Sequence, residues 1–129
     1  FELDPYFTVA YVNAGLNLKR QGDNKSGQEF YDIALSIQPT SADAYVGKAI
    51  IFGEEKKYSM AIENYNQAIK LSPNYHIPHY NRGHELFNSG RYFEAAESYG
   101  KSLELNPNLL MAHFDQGVTF WWLKDLIKS

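Results

Sequence analysis

The sequence contains no cysteine, which removes a disulfide framework, a thiolate nucleophile, Cys-ligated zinc and iron–sulfur clusters. It also lacks a long hydrophobic run. No stretch approaches the ~20 apolar residues that a membrane helix needs, and Phe1-Glu2-Leu3-Asp4-Pro5 has neither the basic nor the apolar region of a signal peptide. Any targeting segment is expected to lie outside this sequence, and a cysteine-free chain suits the cytosol or the periplasm. A basic cluster is missing too. The 12 Lys+Arg stand against 15 Asp+Glu, for a formal charge of −3, and they are scattered from Lys19 to Lys128. A nucleic-acid partner is therefore not expected. There is no nucleophile elbow, phosphate loop or HExxH motif. His76 and His79 stand at i, i+3, but no carboxylate completes a regular ligand spacing, so neither a metal nor any other cofactor is expected.

What the 129 residues do have is aromatics, 10 Tyr, 8 Phe and 2 Trp, and a period. Pro5, Pro39, Pro73 and Pro107 follow one another at intervals of 34 residues. The same step links Tyr31, Tyr65 and Tyr99; Ala34, Ala68 and Ser102; Leu3, Ile37, Leu71 and Leu105; and the small residues Gly15, Ala49, Gly83 and Gly117. Gly27, Ala61 and Ala95 form a further column. A step shared by so many columns is the mark of a repeat architecture.

Within a unit the spacing is helical. Tyr45, Ala49 and Phe52 lie at i, i+4 and i+7, one stripe of a helix. After the polar break Glu54-Glu55-Lys56-Lys57, Ala61, Tyr65, Ala68 and Leu71 repeat that spacing, and Pro73 ends the second helix. Each unit reads as two antiparallel helices of about 12–14 residues and a short turn. Gly or Ala opposite a large aromatic lets the helix axes approach closely.

This chain resembles the tetratricopeptide repeat (TPR) family, a 34-residue helix–turn–helix unit. The residues that carry the resemblance are Tyr11, Gly15 and Leu18 with Gly27, Tyr31, Ala34 and Pro39; Tyr45, Ala49 and Phe52 with Ala61, Tyr65, Ala68 and Pro73; and Arg82-Gly83 and Leu86 with Gly90, Tyr92, Ala95, Tyr99 and Pro107. His79 and His113 stand where the family has an aromatic, and stacking in the core is expected of them. The resemblance implies an all-α fold, a right-handed α-solenoid of antiparallel helix pairs with about seven helices. A single array is expected over 1–129, with repeats 8–41, 42–75 and 76–109 and a partial fourth at 110–129. Leu3-Asp4-Pro5, which aligns with Leu71-Ser72-Pro73, reads as the last turn of a preceding second helix.

A stack of helix pairs leaves a concave face lined by its first helices, and in the resembled family that face binds peptide segments of other proteins. At 100° per residue, the second, fifth, ninth and twelfth residues of a unit share an arc away from the core positions. The arc holds Val9, Val12, Leu16 and Lys19; Asp43, Val46, Ile50 and Gly53; Ile77, Tyr80, His84 and Phe87; and Met111, Phe114, Val118 and Trp121. The partner-binding candidates are Val12, Asn13, Leu16, Val46, Ile50, Tyr80, Asn81, His84, Phe87, Phe114 and Trp121, with Asn13 and Asn81 able to bond a peptide backbone. For Val9, Val46 and Ile77, packing between first helices is an equal reading. The Lys/Arg grip by which TPR modules hold a C-terminal carboxylate is absent, since its positions carry Val12, Leu16, Val46, Ile50 and Asp115. The expectation is a non-enzymatic interaction scaffold taking an apolar segment of a protein or peptide partner. Two alternatives stand beside it: a self-assembly module forming homo-oligomers through terminal or groove aromatics, and the docking part of a larger multidomain protein.

Overall fold

The computed structural model describes residues 4–128. Among them are seven helices and no strand: α1 (Pro5–Arg20), α2 (Asn24–Ile37), α3 (Ala42–Glu54), α4 (Tyr58–Leu71), α5 (His76–Asn88), α6 (Tyr92–Leu105) and α7 (Leu110–Lys128). The fold is all-α, of the TPR solenoid class. No helix of the described residues is long and apolar enough to cross a membrane.

The helix ends follow from local chemistry. Asp4, Asp23 and Ser41 cap α1, α2 and α3 by accepting from the backbone N–H of Tyr6, Ser26 and Ala44. Each satisfies a donor that the first helical turn leaves unpaired. Pro5 stands at the start of α1, where its missing N–H costs nothing. The start of the chain therefore differs from the expectation: Asp4 and Pro5 open α1, three residues before the anticipated start at 8, and Leu3 lies outside the described residues. The other end also extends. α7 runs for 19 residues to Lys128.

The turns inside the pairs repeat one geometry. Backbone N–H groups of Asp23, Lys57 and Arg91 donate to the carbonyls of Leu18, Phe52 and Leu86 at 2.9, 2.8 and 2.8 Å. Each turn has a left-handed residue just before that donor, namely Gly22 (φ 88°), Lys56 (φ 62°) and Gly90 (φ 83°). Glycine is the usual occupant of this site because a Cβ crowds the backbone there. Lys56 accepts that strain.

The chain divides into two compact units, one ending at Ser72 and the other beginning at Pro73. In the first, α1 packs on α2, α3 on α4, and α3 also meets α2 and α1. Its core holds Tyr31, Ala34, Ala44 and Ile51, all at most 3% exposed, with Tyr11, Val12 and Leu35 packed against them. The ring of Tyr31 lies against two glycines. A Cβ on Gly15 would stand 3.0 Å from it, and one on Gly47 would overlap it outright. Glycine is thus needed on both flanks for the helices to close on the ring. In the second unit, α6 packs on α5 and on α7. Tyr99 is buried there against Gly83, where a Cβ would come within 2.7 Å of the ring.

Candidate functional site

The first unit carries Val12, Asn13, Leu16, Val46 and Ile50. Asn13 is exposed, while Val12, Leu16 and Ile50 are half-buried. Val46 is only 6% exposed, and Val12 is packed on the core cluster. Of the two readings open for Val46, packing describes it: a side chain so covered has little area left to offer a partner.

In the second unit Tyr80, Asn81, His84 and Phe87 of α5 are half-buried, and Phe114 and Trp121 of α7 are 58% and 61% exposed. The middle of this surface is polar. The Tyr80 hydroxyl donates to Asp115 Oδ2 at 2.6 Å. His84 Nε2 lies 3.1 Å from Tyr80 Oη and 3.2 Å from the same carboxylate oxygen. Burial, reinforced by the Asp115 hydrogen bond and charge, pushes the Tyr80 phenol well above its ordinary value, so the phenol stays a donor. Tyr99 lies beneath, with ring centres 5.6 Å from Tyr80 and 5.9 Å from His84. Asp115 is the member that sequence reasoning missed, having counted it only against a carboxylate grip. The signal was in the register: Tyr80 and Asp115 are the fifth and sixth residues of successive first helices.

Beside this cluster runs a line of rings. Phe87 meets Tyr92 edge-on at 5.0 Å, Tyr92 stacks on Trp122 at 6.0 Å, and Trp122 meets Trp121 edge-on at 5.2 Å. Trp122 therefore braces α7 on α6, and Trp121 stands outermost. Offset and edge-on contacts suit the ring quadrupoles and fix the ring positions.

The histidines at the aromatic positions behave differently from the stacking expected of them. His79 is buried, and its Nε2 meets the Pro73 carbonyl at 3.0 Å. His113 repeats the bond 34 residues on, to Pro107 at 2.9 Å, but is exposed. Both tie a first helix to the proline turn before it. Phe120, also on α7, is 53% exposed. The exposure of His113 and Phe120 has one cause: among the described residues no helix encloses this side of α7 as α6 encloses α5.

Comparison with known proteins agrees with the helix-pair class. Residues 51–84 match a TPR repeat model and residues 77–109 a tetratricopeptide repeat model. Tetratricopeptide repeats thus cover residues 51–109 of the chain. It is 33% identical over 60 residues to the type IV pilus assembly protein PilF of Pseudomonas aeruginosa, which covers 46% of this chain and 24% of that protein. It is 26% identical over 71 residues to a UDP-N-acetylglucosamine–peptide N-acetylglucosaminyltransferase of Giardia intestinalis, covering 55% of this chain and 5% of that one. The chain thus matches a quarter or less of the length of either curated relative. Among solved structures, the first TPR of Spaghetti (RPAP3) bound to the HSP90 peptide SRMEEVD superposes with a TM-score of 0.90 at 22% identity, over 95% of this chain and 97% of that one.

Proposed function

We propose that this chain is a non-enzymatic protein-interaction module, and that the face of α5 and α7 bearing Tyr80, Asn81, His84, Phe87, Phe114 and Trp121 takes an apolar segment of a partner protein. The observation that carries this reading is the ordered line of rings ending in exposed Trp121. Exposed aromatics fixed by their neighbours lose little entropy on binding and dominate interface energetics. The first unit offers Asn13, Leu16 and Ile50 as a second surface, with Val12 and Val46 behind it.

The similarity to a peptide-bound TPR supports the class of partner and also bounds its chemistry. SRMEEVD is acidic, whereas the centre of the α5–α7 face here is an Asp115 carboxylate with a Tyr80 donor already committed to it. A carboxylate-bearing segment would meet like charge there. An apolar segment with backbone donors fits better, its N–H groups facing Asp115 and its side chains the rings. The short share of the curated relatives that the chain matches favours a further reading, in which the module serves as the docking part of a larger protein.

The test is selection of linear peptides from a random display library on the whole chain. Apolar sequences should be enriched, their affinity should fall about tenfold or more on Trp121→Ala, and salt should change it little, because apolar burial is not screened. Enrichment of acidic C-terminal peptides, or a steep loss of affinity with salt, would overturn the reading.

A further inference from the structure

We propose that Asp115 anchors one cationic side chain, a lysine or an arginine, of the otherwise apolar segment that docks on the α5–α7 face. The inference rests on the peptide-binding reading of that face and names the charge its ligand must carry. Tyr80 and His84 both meet Asp115 at Oδ2, at 2.6 and 3.2 Å, and among the described residues no donor is set on Oδ1. The carboxylate is thus oriented by its neighbours and keeps one oxygen for a further donor.

Its charge is what those neighbours leave unanswered. Asp32, Glu54, Glu55, Glu94 and Glu104 each pair with a lysine or an arginine at 2.6–3.5 Å, and their side chains are 38–69% exposed. The Asp115 side chain is only 20% exposed, yet it meets a phenol and an imidazole that is charged only when protonated. A carboxylate drawn from water is costly unless a counter-ion meets it. The groove arcs of α5 and α7 contain no lysine or arginine. Arg82 of α5 turns instead to Ser98 of α6, under the charges of Glu94 and Glu97. The charge of Asp115 adds to burial in raising the phenols of Tyr80 and Tyr99, so its field acts across the floor of the site.

The rings complete the site. Tyr80, His84 and Tyr99 stand 5.1–5.9 Å apart, centre to centre, beside this carboxylate. Aromatic faces attract a cation, and the aliphatic stem of lysine or arginine covers apolar surface behind its charged end. A backbone N–H can reach Oδ1 but brings no charge, and an acidic group is repelled. One basic residue among apolar ones suits both Asp115 and the rings. A single partly buried pair also keeps the salt dependence of binding shallow.

Peptides selected from the random display library on the whole chain should carry a lysine or an arginine at a constant distance from their apolar residues. Replacing that residue by norleucine should weaken binding about tenfold or more at about pH 8, where imidazole is ordinarily neutral. In Asp115→Asn the side-chain carbonyl can still accept the Tyr80 hydroxyl or a backbone N–H, so the norleucine peptide should bind it as it binds the native chain. The basic peptide should lose its advantage there. Apolar peptides with no basic preference, or a preference that survives in Asp115→Asn, would overturn the anchor while leaving the peptide reading intact. A titration with n-butylammonium chloride puts the question to the carboxylate without any peptide. Saturable NMR shifts are expected at Tyr80 and Asp115, and none with n-butanol or in Asp115→Asn. No shift in the native chain, or equal shifts with n-butanol, would refute the site. Should no peptide be enriched, the peptide reading fails and this titration alone decides the anchor.

Discussion

The two units are built from corresponding helices, yet they fill corresponding space with different chemistry. In the first, the sixth residue of α3 is Gly47, and the Tyr31 ring closes on it among apolar neighbours. In the second, the sixth residue of α7 is Asp115, which gathers the Tyr80 hydroxyl and His84. Both units also bury polar atoms without a hydrogen-bond partner, Thr8 Oγ1 and Gln28 Oε1 in the first and His79 Nδ1 and Glu85 Oε2 in the second. Arg82 Nε donates to Ser98 Oγ at 3.0 Å. The first unit is packed for shape, and its tolerance is set by volume. The second sets a carboxylate, a phenol and an imidazole at that place, so its tolerance there is set by charge.

The comparison breaks most sharply at Gly47. Gly47→Val places methyl groups where the Tyr31 ring lies and is expected to cost about 3 kcal/mol by overpacking, read as a lowered denaturation midpoint in urea. A loss under about 0.5 kcal/mol would mean that the first unit repacks freely and is not held by the fit of ring to glycine.

A smaller effect is expected in the turns. Gly22, Lys56 and Gly90 share one left-handed geometry, and only Lys56 carries a Cβ. Lys56→Gly should stabilise by about 1 kcal/mol and Gly90→Lys should cost about the same, the penalty for an L-residue in that conformation. If the two changes moved stability in the same direction, backbone strain would not govern these turns.

The smallest effect is a slope with pH, and it belongs to the second unit. Burial raises the Glu85 carboxyl above its ordinary value of 4.5. The folded state therefore holds the proton more tightly than the unfolded one. The group favours folding below pH 4.5 and loses that contribution as pH rises through the raised value. Glu85→Gln should exceed the native chain in thermal midpoint at pH 7.5, with the gap closing toward pH 4. His79 acts in the opposite sense: burial lowers it from 6.5, so its neutral ring is favoured and stability falls as pH drops below that value. A gap for Glu85→Gln that stayed constant with pH would show the carboxyl to be solvated in the folded chain.

Much of the fold was legible in the columns. The proline step located the turns, the small-residue column located Gly15 and Gly83 opposite Tyr31 and Tyr99, and the helix stripes followed from spacing. Gly47 was not legible, because the columns compare like positions and its counterparts are Asn13, Asn81 and Asp115. The candidate site was legible as an arc of residue numbers and no further. The arc placed Val12 and Val46 beside Trp121, although the first two are packed and the last is open.

The sequence by itself determined the helices, their pairing and the direction in which each side chain leaves its axis, because these depend on residues within a turn or one repeat of one another. Only the tertiary structure decided what covers each direction. Gly83 and Gly117 hold the same place in their helices, but one lies under a tyrosine and the other faces open space. Tyr80 and Asp115, far apart in the chain, share a proton-bridged contact that neither helix specifies. Helical geometry fixes a face, and whether that face is buried, polar or open depends on a neighbour supplied from elsewhere in the chain.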